Sequence, residues 1–279
     1  DQKDVVFYRG DVRDFPFPPE AFSHVIHAAT DASATLNETD PLAMIDVITQ
    51  GTRRVLEFAR HSGAQKFLLT SSGAVHGRQP FELTHLPENY AGAPDLTQPK
   101  WAYGEGKRLA ELYCTIYHHK FGLETKIARC FAFVGPYLPL DQHFAIGNFI
   151  RDALKGGPIK IGGDGTPYRS YLYAADLTLW LWKILFAGAS GRPYAVGSED
   201  SRTIEDIARA VAKIFVPETK IEIAKKPMPG ILPERYVPQT SLTQKELALP
   251  PPIPLAEALK RTVDWHRNHF RDHSEGNKK

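Results

Sequence analysis

Tyr103 and Lys107 stand four residues apart at the head of a run whose composition is helical, Trp101-Ala102-Tyr103-Gly104-Glu105-Gly106-Lys107 followed by Arg108-Leu109-Ala110-Glu111-Leu112-Tyr113-Cys114. On a helix that spacing puts a phenol and an ammonium on one face. A neighbouring cation favours the phenolate, which predicts a tyrosine ionising below its ordinary value of about 10. Such a tyrosine takes a proton from an alcohol or returns one to a carbonyl. The spacing alone is common, so the chemistry depends on what surrounds it.

The surrounding elements read as strands alternating with helices. Val5-Val6-Phe7-Tyr8 and Ser23-His24-Val25-Ile26-His27-Ala28-Ala29 are predicted strands, and residues 41–62 a helix with Ile45, Ile48, Val55 and Phe58 apolar and Gly63 as its stop. Lys66-Phe67-Leu68-Leu69-Thr70-Ser71-Ser72 is a third strand, apolar enough to be buried on both faces. The Tyr103 helix leads to a fourth, residues 125–131. This alternation predicts an α/β fold with a doubly wound parallel sheet, in which ligands bind beyond the carboxyl ends of the strands. Asp11, Ala28, Ala29, Ser71 and Ser72 fall at those ends.

From about residue 137 the texture becomes irregular and proline-rich. Helices are expected near residues 144–154, 172–186, 203–215 (capped by Thr203) and 255–269, with short strands at Ile159-Lys160-Ile161 and Pro193-Tyr194-Ala195-Val196. The expected division is a sheet domain over residues 1–136, to which 172–198 returns, and a smaller α+β domain from 137–171 and 199–279.

Composition bounds the rest. The 279 residues are 42% hydrophobic and 24% charged with net charge +2, which argues against a broad basic nucleic-acid surface. Cys114 and Cys130 have no metal-ligand or disulfide spacing and are expected to be buried thiols in a reducing compartment. No apolar run reaches the roughly 20 residues that span a bilayer, and no signal peptide opens the chain. A cytoplasmic location is the expectation.

Taken in order, Gly10-Asp11-Val12-Arg13-Asp14, Val25-Ile26-His27-Ala28-Ala29, Thr70-Ser71-Ser72-Gly73-Ala74-Val75-His76-Gly77, Tyr103-x-x-x-Lys107, Gly163-Asp164-Gly165 with Arg169, and Pro233-Glu234-Arg235-Tyr236-Val237-Pro238 resemble the extended short-chain dehydrogenases/reductases of the nucleotide-sugar epimerase/dehydratase group. The resemblance implies a Rossmann-like sheet. Members of that group open with a strand, a glycine-rich phosphate loop and a helix. This sequence begins at what resembles the third strand, so the first two βα units, roughly 60 residues at about 30 per βαβ unit, are expected to be missing from it.

The resemblance also implies roles. Asp11 accepts a hydrogen bond from adenine with the Val12 backbone beside it, Ala28 and Ala29 let the cofactor approach closely, and Thr70, Tyr103 and Lys107 complete the cofactor site. Tyr103 removes the proton of a sugar hydroxyl while hydride passes to the nicotinamide of NAD or NADP, Lys107 binds the nicotinamide ribose, and Ser72 orients the sugar oxygen. Arg169 and Arg235 bind the diphosphate, Asn148 the nucleotide side, and Ile159-Lys160-Ile161 lies along the base. A homodimer built on the helix at 41–62 and the Tyr103 helix is implied too. No metal is implied.

The sequence also departs from the group. Gly73-Ala74 replaces the Asp-Glu with which 4,6-dehydratases eliminate water, and neither residue can act as acid or base. Ala132, Ile48 and His76 stand where Asn, Asn and Tyr are usual, and His143 in Pro139-Leu140-Asp141-Gln142-His143 is an alternative sugar contact. The first expectation is therefore a nucleotide-diphosphate-sugar epimerase working through a keto-sugar. A 4-keto-6-deoxyhexose reductase, a dehydratase and a catalytically idle scaffold member are the alternatives.

Overall fold

The structure, a computed structural model, describes residues 5–30, 33–142 and 144–275. The chain divides into two compact units, one of residues 1–77, 92–129 and 184–193, the other of 78–91, 130–183 and 194–279.

The first unit is layered α/β. Strand β1 (His24–His27) pairs in parallel with β2 (Lys66–Ser72), His24 opposite Lys66 and His27 opposite Leu69, and β3 (Glu124–Cys130) lies on the other side of β2. Between β1 and β2 the chain forms α1 (Ala34–Thr39) and the long α2 (Pro41–His61); α3 (Ala102–Phe121) links β2 to β3. Asp40 caps α2 through the Ala43 N–H, and Pro41 occupies a position where no N–H is needed. Gly63 at φ 77° and Gly122 at φ 72° end the two long helices in a conformation only glycine adopts without strain. Met44, Ile48, Val55 and Leu56 of α2 meet Ala110, Cys114 and Tyr117 of α3 and Phe67 and Leu69 of β2 in one core.

Residues 5–8, predicted as a strand, are not one: they are exposed and irregular, with no ladder partner among the described residues. An apolar tetrapeptide without a hydrogen-bonded neighbour has nothing to hold it extended.

Gly104 explains how α3 reaches the loop after β2. A Cβ there would stand 2.7 Å from the Ala74 carbonyl oxygen and 3.0 Å from Pro94 Cγ. Alanine normally gains up to about 1 kcal/mol over glycine in a helix, but overpacking against backbone costs about 1–3 kcal/mol, and a carbonyl cannot rotate away. Gly104→Ala is therefore expected to be destabilising on balance, by about 1–2 kcal/mol in urea unfolding; an unchanged or raised midpoint would show that the loop yields freely.

The second unit gathers α4 (Ala145–Leu154), β5 (Ile159–Ile161), α6 (Ile204–Ala212) and α8 (Leu255–Glu275) about a core of Ile146, Phe149, Ile150, Ile159, Ile207, Val211, Leu259 and Val263. Two-residue strands stitch its loops. β4 (Phe133–Val134) pairs with β7 (Leu172–Tyr173), and β6 (Tyr168–Arg169) lies between β9 (Arg202–Thr203) and β11 (Arg235–Tyr236). The predicted helix at 172 starts only at Ala174, as α5 (Ala174–Ala187), because Leu172 and Tyr173 are claimed by β4. Strands β8 (Pro193–Val196) and β10 (Ile221–Ile223), the latter parallel to β5, and the short helix α7 (Ser241–Glu246) complete the order. The last helix outruns its predicted end at 269 and continues to Glu275. Among the described residues no helix is long and apolar enough to cross a membrane.

Candidate active site

Three chain segments of the first unit meet at the carboxyl end of β2. Thr70 donates its hydroxyl to the His27 carbonyl at 3.1 Å, tying β2 to β1, and its own carbonyl accepts from Lys107 Nζ at 2.9 Å. Lys107 also donates to Thr30 Oγ1 at 3.0 Å and lies 5.8 Å from the centre of the Tyr103 ring. It is 2% exposed. An ammonium buried to that degree persists only with good partners, and these two oxygens fix its position. The predicted pairing of phenol and ammonium on one helical face is present in the geometry.

Tyr103 is half-buried and its ring packs against the core of the first unit. Its backbone N–H donates to Asn37 Oδ1 at 2.9 Å, and the Asn37 amide donates to the Lys100 carbonyl at 2.7 Å. Trp101, the residue that precedes α3, supplies no side-chain cap, so Asn37 from α1 takes that role and anchors the first turn carrying Tyr103. Nothing local in the sequence marks Asn37, which is 66 residues away from Tyr103.

Ser72 ends β2 and opens a 3-10 turn, Gly73–His76, accepting the Ala74 N–H on its Oγ at 3.1 Å. That bond uses a lone pair and leaves the hydroxyl hydrogen as a donor. Gly73 is buried and Ala74 half-buried, and neither brings a proton-transfer group to the turn.

His27 is buried and faces Thr52 Oγ1 at 3.1 Å; burial, reinforced by the Lys107 charge, pushes its pKa down to about 3. It is a packed strand residue and stays neutral. The folded state thus binds no proton here between pH 6.5 and about 3, whereas the unfolded chain does, so stability is lost as pH falls from about 6.5. At about 1.4 kcal/mol per unit the loss by pH 5 is about 2 kcal/mol. Urea unfolding at pH 7 and pH 5 checks this: His27→Gln is expected to shrink the difference between the two pH values by that amount, and an unchanged difference would assign it elsewhere.

The other predicted cofactor residues fit unevenly. Ala28 and Ala29 are small and exposed just beyond β1. Asp11 is exposed, but Arg13 binds its carboxylate through the backbone N–H at 2.9 Å, Nε at 3.0 Å and Nη2 at 2.6 Å. The Arg13 hydrogen bonds hold the Asp11 pKa down at about 2. Of about four acceptor sites on a carboxylate one is left, on Oδ2. Val12 packs its side chain on the core, where a Cβ at Gly51 would come within 2.7 Å of it. An ammonium, a phenol and two threonines beside small exposed residues suit the diol and amide of a nicotinamide riboside.

In the second unit Arg169 and Arg235 arise from adjacent strands, and Tyr168 gathers both. Arg169 donates to the Tyr168 carbonyl at 2.8 Å, and the Arg235 guanidinium lies 3.9 Å over the Tyr168 ring. Their strand register starts the two side chains from opposite faces of the ladder. Asn148 is half-buried on α4 and accepts from Arg151 Nη1 at 2.9 Å. Ile159 and Ile161 are core residues and only Lys160 is exposed. Ala132 packs on the same core, and Ile48 fills the space that Gly106 leaves in the first unit. His143 lies outside the described residues.

UDP-glucuronic acid decarboxylase 1 of Arabidopsis thaliana is 32% identical over 252 residues, covering 90% of this chain and 57% of that protein. The chain thus spans little more than half the length of that relative. The structure of a Thermus thermophilus UDP-glucose 4-epimerase in complex with NAD matches at 27% identity with a TM-score of 0.79, over 95% of this chain and 86% of that one. UDP-N-acetylglucosamine 4-epimerase from Methanobrevibacter ruminantium M1 shares the fold at 20% identity and a TM-score of 0.82, over 96% and 84% of the two chains. The family model described as the NAD dependent epimerase/dehydratase family matches residues 2–197. This chain belongs to the NAD dependent epimerase/dehydratase family.

Proposed function

We propose that the protein is an enzyme that binds NAD and oxidises and re-reduces a hydroxyl of a nucleotide-diphosphate sugar, as an epimerase does. The observation that carries this is the buried Lys107 held by Thr30 and Thr70 beside Tyr103. When bound, NAD supplies the hydride acceptor and donor of such a reaction. Tyr103, as phenolate, takes the proton of the sugar hydroxyl and returns it when the keto-sugar is reduced. Lys107 stabilises the phenolate and binds the nicotinamide ribose. Ser72 donates its hydroxyl hydrogen to the reacting oxygen. One of Arg169 and Arg235, which leave their ladder from opposite faces, holds the diphosphate, for which a planar guanidinium is suited, and Asn148 contacts the nucleotide. The first unit takes the cofactor and the second the sugar nucleotide.

A second reading is favoured by the decarboxylase relative. Oxidation at C4 of a sugar bearing a carboxylate on C5 creates a β-keto acid; its C5–carboxyl bond breaks to release CO2, the electron pair passes to the C4 carbonyl as an enolate, and C5 then takes a proton from water, so no further protein acid or base is required. The same Tyr103, Lys107 and Ser72 would serve, and Gly73-Ala74 is no handicap there, as it is for dehydration. Product analysis with the full-length protein and NAD decides. UDP-glucose converted to its 4-epimer supports the epimerase; UDP-glucuronate converted with release of CO2 supports the decarboxylase. Net consumption of NADH with a 4-keto-6-deoxy sugar nucleotide would establish a reductase, and turnover of none of them would overturn the enzyme reading.

A homodimer belongs to the same proposal. Leu109, Leu112 and Ile116 form one exposed apolar stripe along α3, which a second copy would cover. Leu112→Lys is expected to shift a dimer to monomer in sedimentation; a monomeric parent would end that part of the reading.

A further inference from the structure

Glu111 lies one turn beyond Lys107 and two beyond Tyr103, on the same face of α3. Its Oε1 accepts the Ser71 hydroxyl at 2.6 Å and Arg129 Nε at 3.0 Å, and its Oε2 accepts Arg129 Nη2 at 2.7 Å. Arg129 continues the chain of contacts, with Nη1 3.4 Å from His76 Nε2. An arginine has only donors, so His76 meets it through an unprotonated Nε2. Both side chains of the ion pair are largely buried, 12% exposed for Glu111 and 18% for Arg129. A pair so withdrawn from water is an inefficient way to add stability, since a well-packed apolar pair does as well.

What the chain of contacts holds is the segment between Ser71 and His76. Ser71 immediately precedes Ser72, and His76 closes the turn that Ser72 opens. The turn is thereby fixed at both ends, on α3 through Glu111 and on β3 through Arg129. Ser72 stands between the two anchors with its Oγ already committed to the Ala74 N–H.

We propose that Glu111, Arg129 and His76 are positioning residues that hold the Ser72 hydroxyl on the reacting sugar oxygen. The imidazole, in the place where a tyrosine is usual, is the acceptor that Arg129 meets in this relay. The assignment rests on Ser72 acting on that oxygen. Misplacing a reacting group by about 1 Å costs up to about a hundredfold, and the effect falls on kcat because Ser72 acts in the chemical step.

The test uses the full-length protein with NAD and the sugar nucleotide it turns over. His76→Phe keeps the ring volume but removes the acceptor, and is expected to lower kcat by about tenfold or more with KM within about twofold. His76→Gln, whose amide oxygen can replace Nε2, is expected to recover most of that loss. The Ser72→Ala/His76→Phe double variant is expected to be no slower than Ser72→Ala alone, because a relay that only orients Ser72 has nothing left to orient. Losses that multiply in the double variant, or wild-type kcat in His76→Phe, would overturn the assignment while leaving the role of Ser72 intact. Wild-type kcat in Ser72→Ala would instead remove the role of Ser72 and the relay with it. Should His76→Phe fail to fold, Arg129→Lys serves: its single ammonium can pair with Glu111 but cannot span to His76, and the same non-additivity with Ser72→Ala is expected.

Discussion

Tyr103→Phe is expected to lower kcat by about a thousandfold, within the range of roughly 10² to 10⁴ that general acid–base catalysis contributes, while leaving the fold and NAD binding unchanged. The substitution removes one oxygen and keeps the ring that packs on the core of the first unit. The backbone anchor, Tyr103 N–H on Asn37 Oδ1, is indifferent to the side chain. The loss is placed in the middle of the range rather than at its foot because the hydroxyl is used twice, once to accept the proton of the sugar hydroxyl and once to return it. With that oxygen gone, only water or Ser72 remains, and the Ser72 oxygen is already engaged with the Ala74 N–H. Steady-state kinetics beside an NAD titration checks the prediction. A variant within about tenfold of the parent, below the range of a proton-transfer role, would show that Tyr103 is not the base.

What was legible in the sequence was what is written locally. Apolar periodicity with Gly63 as a stop marks α2, and apolar runs mark β2 and β3, to within a residue or so, because these signals are local; helical composition marks α3 without its end, which the left-handed backbone of Gly122 sets. Thr203 was legible as a cap for the same reason: it exchanges hydrogen bonds with Asp206 three residues on. The two-residue strands were not legible, since Tyr168 and Arg235 are 67 residues apart in the numbering and pair only in the folded second unit. Tertiary pairing also overrode helix propensity at Leu172-Tyr173.

The site divides along the same line. The spacing of Tyr103 and Lys107 lies within one helix and was read directly. The roles of Asp11, Arg169 and Arg235 came only through resemblance, and the competition between Arg13 and any other partner for the Asp11 carboxylate had no sequence signal. Thr30 and Asn37, which hold the Lys107 ammonium and the first turn of α3, and Glu111 and Arg129, which bond Ser71 and His76, come from four different stretches of chain. Their types are ordinary for surface residues; only their convergence at the ends of β1, β2 and α3 distinguishes them.

Lys107→Met is expected to lower kcat by about a hundredfold and to make the remaining activity climb with pH. At the 5.8 Å between Nζ and the Tyr103 ring centre, a charge pair is worth about 3 kcal/mol at an effective dielectric of about 20, which is about a hundredfold in rate. Methionine retains the length and apolar stem of a side chain that is almost wholly buried, so packing is preserved. Thr70 loses the donor to its carbonyl, and about 1 kcal/mol of stability with it, offset in part because an ammonium no longer has to be desolvated. Without the cation the phenol must ionise as an ordinary tyrosine does, near pH 10. The sign of the pH effect follows: the variant is expected to keep gaining activity up to about pH 9.5, just below the ordinary tyrosine value, while the parent's gain, helped by the cation, levels off at lower pH. NAD affinity is expected to fall as well, because the ribose contact is lost, so the profile has to be taken at saturating cofactor. A variant whose kcat–pH curve runs parallel to the parent's, with only NAD affinity reduced, would restrict Lys107 to cofactor binding and leave the activation of Tyr103 to some other charge.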